Sequence, residues 1–124
     1  MTRAATVLVV EDEGEIRSLI REVLQIAGYR VLEASDGDEA LKLADAHPGG
    51  LDLMVLDLKM PGLTTADLVG RVRSRRPDTR VLYISGQPHE DIVTQSGPLP
   101  PGAFLQKPFT VVSLTETVRR VLGA

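Results

Sequence analysis

Three short apolar runs in this 124-residue chain each stop at a charged residue, and that pattern limits the available folds more than any other feature. Thr6–Val10 runs into Glu11-Asp12, Leu51–Leu56 is closed by Asp57, and Ala103–Gln106 leads to Lys107. Continuous β-branched and aliphatic runs of this length fit strands covered on both faces. Between them lie stripes at helical spacing. Ile16, Leu19, Ile20, Val23, Leu24 and Ala27 form one amphipathic face that Gly28 stops. Tyr29–Glu33 reads as a second strand, and Asp36 with Glu39 three residues on resembles an N-cap and its capping-box partner, opening a helix through Ala40, Leu41 and Ala44. A helix is expected around Ala66–Arg75, ended by Pro77, then strands over Arg80–Ile84 and Ala103–Gln106. Val112, Leu114, Val118, Val121 and Leu122 give a last helix, with Thr110 as its N-cap. Strands alternating with helices in this way require a parallel sheet with right-handed crossovers, hence one α/β domain over residues 1–124.

Composition narrows the function classes. The chain has no cysteine and no run of eighteen apolar residues, which removes a disulfide scaffold and a membrane span and makes a cytoplasmic location the expectation. The net charge of −3 is unevenly spread: residues 1–62 hold 12 acids against 6 Lys/Arg, and residues 63–124 hold 5 against 8. The cluster Arg71, Arg73, Arg75 and Arg76 lacks interleaved aromatics in an acidic protein, so it reads as a solvated helix face rather than a nucleic-acid surface.

If the three runs are parallel neighbours, their carboxyl ends open on the crevice where such sheets bind ligands, and Glu11, Asp12, Asp57 and Lys107 converge there. Three carboxylates so close repel one another and call for a cation. Oxygen donors alone favour Mg²⁺ over Zn²⁺. Asp12 has a second reading as a cap for the helix that begins near Gly14. Asp57, at the end of a nearly all-apolar run, could act as a nucleophile toward phosphorus. Mg²⁺ and Lys107 together would balance the three carboxylates and let an anionic phosphoryl group approach. Ser85, beside Gly86 at the end of the fourth run, would add a hydroxyl to the same rim, although Ser-Gly is also an ordinary turn.

With these pieces in place the chain resembles a response-regulator receiver domain over nearly its whole length. The matching segments are Val9-Val10-Glu11-Asp12-Glu13, Asp57-Leu58-Lys59-Met60-Pro61-Gly62, Ser85-Gly86 and Lys107-Pro108-Phe109. The resemblance implies a flavodoxin-like, doubly wound five-stranded parallel sheet in the order 2-1-3-4-5, working as a phosphorylation switch that acts only on itself. It implies that Asp57 accepts a phosphoryl group from the phosphohistidine of a histidine kinase or histidine phosphotransfer domain. Asp12, Asp57 and the Lys59 backbone carbonyl would bind Mg²⁺ directly and Glu11 through water, with Lys107 and Ser85 contacting the phosphoryl group. Phe104 falls at the switch-aromatic position, though an aromatic in a strand also fits simple core packing.

Val81–Gly86 and Phe104–Thr110 look most like receivers fused behind hybrid histidine kinases. With the sequence ending at Ala124, the expectation is a stand-alone or excised receiver whose output partner, fused or separate, lies outside it, with no direct nucleic-acid or membrane contact. A cis Lys107–Pro108 bond is expected, turning the ammonium back over the strand ends. Pro88, Pro98, Pro100 and Pro101 crowd Gly86 to Gly102, so a short or irregular fourth helix, the least protected part of the domain, is expected there.

Three other readings compete. A flavin- or nucleotide-binding module would need a phosphate-cradling loop after the first strand, where Glu11-Asp12-Glu13 would repel the ligand. An aspartate-nucleophile phosphatase would need a second acid two residues after Asp57, where Lys59 stands. A receiver used only for docking would not need the full set of chemical residues present here.

Overall fold

The computed structural model describes residues 4–58, 64–86 and 99–123. In chain order the elements are β1 (Thr6–Val10), α1 (Gly14–Ile26), β2 (Arg30–Ala34), α2 (Gly37–Ala46), β3 (Leu53–Asp57), α3 (Thr65–Arg75), β4 (Arg80–Ser85), β5 (Ala103–Gln106) and α4 (Val111–Leu122). Every neighbouring strand pair is parallel, in the expected order β2-β1-β3-β4-β5. The short or irregular helix expected within Gly86–Gly102, and Lys59 with its carbonyl, lie outside the described residues.

Alternate strand residues face opposite sides and build two cores. Leu8, Val10, Met54, Leu56, Val81 and Tyr83 pack with Ala40, Ala44, Leu68, Val69 and Val72 of α2 and α3. Val7, Val9, Leu53, Val55, Leu82 and Ile84 pack with Ile20, Val23 and Leu24 of α1 and Leu114 and Val118 of α4. Burying each large aliphatic side chain contributes about 1.5–3 kcal/mol, against about 1 kcal/mol for an N-cap. Packing on the sheet therefore holds the helices, and the caps fix where they start. Asp36 Oδ1 accepts from the Glu39 N–H at 2.8 Å, Thr64 Oγ1 from Asp67 N–H, and Thr110 forms a reciprocal capping box with Ser113.

Several boundaries differ from expectation, each for a local reason. Tyr29 belongs to the exit of α1 rather than to a strand: its N–H bonds Leu24 O and the Gly28 N–H bonds Gln25 O, closing a Schellman turn with Gly28 at φ 100°. β3 begins at Leu53 and includes Asp57, because the Leu51 carbonyl takes the buried Thr79 hydroxyl at 2.8 Å and the Asp52 carboxylate takes the Thr6 N–H at 2.8 Å. β4 extends through Ser85. Glu39 reaches past the cap residue and accepts from the Ser35 N–H instead.

Three of the four clustered arginines are spent internally. Arg73 bonds Thr79 O, Arg75 pairs with Asp45, and Arg76 donates to the carbonyls of Ala44, His47 and Gly49, joining the end of α3 to the end of α2.

Candidate functional site

The sheet register sets the site. Val10 lies opposite Leu56, Asp57 opposite Ile84, and Ser85 opposite Gln106, so Glu11, Asp57, Ser85 and Lys107 all stand at one carboxyl edge. Bonds beyond the strands keep that edge aligned: Glu11 N–H to Ala34 O at 3.1 Å, Leu58 N–H to Ile84 O at 3.1 Å, and Lys107 N–H to Ser85 O at 2.7 Å. The Lys107–Pro108 peptide bond is cis, as expected.

Lys107 Nζ donates to Glu11 Oε1 at 3.2 Å and lies 3.4 Å from Asp57 Oδ2. One carboxylate oxygen from each of Glu11, Asp12 and Asp57 falls within 4.8 Å of the others. Glu11 and Asp57 are buried, at 1% and 5% exposure, while Asp12 is exposed. Burial foremost, with hydrogen bonding to Asp57 and Asp12 and the charge of Asp57, pushes the Glu11 carboxyl up to about 7 against the opposing Glu13 N–H. For Lys107, burial alone disfavours the ammonium, but Asp57 and Glu11 outweigh it and hold the group above its ordinary value.

Among the described residues the donor set is three carboxylates with neither sulfur nor imidazole, and a single ammonium to offset them. That chemistry fits a hard, oxygen-seeking divalent cation such as Mg²⁺. The cap reading of Asp12 finds no support, since Glu13 is the N-cap of α1 and makes no side-chain cap bond. Ser85 is buried at the end of β4. Phe104, opposite Tyr83 in the register, stacks on it with centroids 5.1 Å apart, and the Tyr83 hydroxyl donates to Pro100 O. Burial also lifts the Tyr83 hydroxyl to about 12, so it stays a donor.

One neighbour of the site escaped the sequence reading. Arg17 on α1 donates from Nη1 to the Glu11 carbonyl at 2.9 Å, and its Nε lies 3.6 Å from Glu33 of β2. The signal was the pair Arg17 and Arg21, four apart beside the apolar stripe, facing a lone strand glutamate.

A family model for the response regulator receiver domain matches residues 7–119, so the chain belongs to the receiver domains of two-component systems. Among its relatives is the sensor kinase CckA of Brucella abortus, 37% identical over 98% of this chain but only 13% of the kinase. The chemotaxis protein CheY of Pseudomonas aeruginosa is 30% identical over 93% of this chain and 94% of its own length. The solved receiver domain of the hybrid histidine kinase CckA superposes with a TM-score of 0.78 at 36% identity, covering 95% of this chain and 99% of that one. The likeness to a receiver of a hybrid kinase therefore holds at the level of the single domain. No helix among the described residues is long and apolar enough to cross a membrane.

Proposed function

We propose that residues 1–124 form one phosphoacceptor receiver in which Asp57 takes a phosphoryl group from the phosphohistidine of a kinase or phosphotransfer domain. The observation that carries this reading is the Lys107 ammonium lying between Glu11 and Asp57 beside three clustered carboxylates. A carboxylate oxygen of Asp57 attacks phosphorus, the new P–O bond forms as the donor P–N bond breaks, and the imidazole leaves with the bonding pair and takes up a proton. Such transfer asks mainly for alignment and charge neutralisation. Glu11, Asp12 and Asp57, with the Lys59 carbonyl, would hold Mg²⁺, whose charge lets the dianionic group approach. Lys107 balances a phosphoryl oxygen, and the Ser85 hydroxyl donates to another. Phe104, stacked on Tyr83, would carry the change at Ser85 to a partner surface.

The domain changes its own state and turns over no separate substrate. Its output partner, fused or separate, reads that state in the cytoplasm. Acetyl phosphate with Mg²⁺ should add one phosphoryl group to the intact mass. Asp57→Asn and EDTA should each abolish the addition, and an addition that survives either one contradicts the reading.

A further inference from the structure

Glu11 is anchored at the edge by four described hydrogen bonds. Its N–H bonds Ala34 O, its side chain accepts from the Glu13 N–H and from Lys107, and its carbonyl accepts from Arg17. The first three anchors belong to the strand ladder, the turn and the acidic cluster itself. The fourth comes from outside. Arg17 is in turn held by Glu33, whose other oxygen accepts from Arg21 Nη1 at 3.0 Å, so two arginines one helical turn apart grip one carboxylate on β2. Glu33 lies opposite Val9, two residues before Glu11.

Glu33, Arg17 and Arg21 keep a quarter to a third of their side-chain surface in water. Ion pairs this exposed contribute little to stability, so the network has small value as a brace. Its effect is geometric. The planar guanidinium hydrogen-bonds the Glu11 carbonyl through Nη1 while its Nε faces the Glu33 carboxylate as an ion pair at 3.6 Å, a fork that spans both groups. The Glu11 carbonyl begins the turn that carries both Glu11 and Asp12 to the rim.

We infer that Arg17 is a positioning residue, held by Glu33, that sets the Glu11–Asp12 turn and so the affinity of the carboxylate cluster for a divalent cation. The inference rests on the phosphoacceptor reading above, which supplies its readout. Groups that orient metal ligands from behind typically change metal affinity by about 10- to 100-fold when removed.

The sign of the effect separates positioning from simple charge. Arg17 is a cation near a cation site, so through-space electrostatics alone would make Arg17→Ala bind Mg²⁺ more tightly. Loss of the anchor makes it bind more weakly. The test is the Mg²⁺ dependence of phosphorylation by acetyl phosphate in the full chain, for wild type, Arg17→Ala and Arg17→Lys, alongside melting temperatures in EDTA. The half-saturating Mg²⁺ concentration should rise roughly 10-fold in Arg17→Ala. The rate at saturating Mg²⁺ and the melting temperature should stay close to wild type, and Arg17→Lys, which keeps the charge but loses the fork, should fall between. An unchanged or lower half-saturating concentration in Arg17→Ala overturns the inference, as does a fall in melting temperature with no change in Mg²⁺ dependence. A wild type that needs no Mg²⁺, or gains no phosphoryl group, overturns the phosphoacceptor reading instead.

Discussion

Glu11 and Asp57 give up nearly all their solvent and share one ammonium between them. Repulsion among like charges held close costs stability wherever all are ionised. Without metal, the folded state holds a proton on Glu11 up to about 7, whereas the ordinary value is 4.5. The folded chain therefore binds more protons between those limits. The stabilising contribution is complete below the lower value and lost as pH rises through the upper one. In EDTA the urea midpoint should be higher near pH 5 than near pH 8, and Glu11→Gln should flatten that difference; a wild-type midpoint that rises over the interval would refute the assignment. By the same argument Asp12→Ala and Asp57→Asn should each raise the melting temperature in EDTA by a few degrees, corresponding to about 1 kcal/mol. Mg²⁺ should then clearly raise only the wild type. Lower melting temperatures for both variants in EDTA would contradict the repulsion.

At the scale of the elements, the strands and helices were readable because their apolar spacing is regular, while their ends were set by partners distant in sequence. The Leu51 carbonyl is claimed by Thr79 and the Asp52 carboxylate by the Thr6 N–H, so β3 starts two residues later than its apolar run. Neither partner is visible locally. The site residues Glu11, Asp57 and Lys107 were legible because each directly follows or ends an apolar run, whereas Arg17 acts from the side of a helix onto a main-chain atom, which leaves no motif. Gly102, just before β5, shows a further tertiary demand: a Cβ there would meet Tyr83 Cε2 and Val81 O at 2.8 Å each. The carbonyl belongs to a core strand and cannot swing aside. Gly102→Ala should cost about 1–3 kcal/mol, the usual range for overpacking, read as a lower urea midpoint; an unchanged midpoint would mean that β4 and β5 separate more easily than their packing indicates.

Over the whole molecule, two apolar layers on a parallel sheet leave one edge for chemistry, and the register collects the acidic loop after β1, Asp57, Ser85 and Lys107 there. A cation that binds only this assembled edge stabilises the entire fold by mass action, which links the metal to the melting behaviour described above. Asp57, among all the acids gathered at that edge, is the one proposed to react. Borohydride reduces an acyl phosphate to an alcohol and would convert a phosphorylated aspartate to homoserine, which peptide mass spectrometry locates. After treatment with acetyl phosphate and Mg²⁺, homoserine should appear at position 57 and at no other acid, and none should appear in EDTA. Homoserine at position 12, or equal conversion at position 57 with and without Mg²⁺, would contradict it.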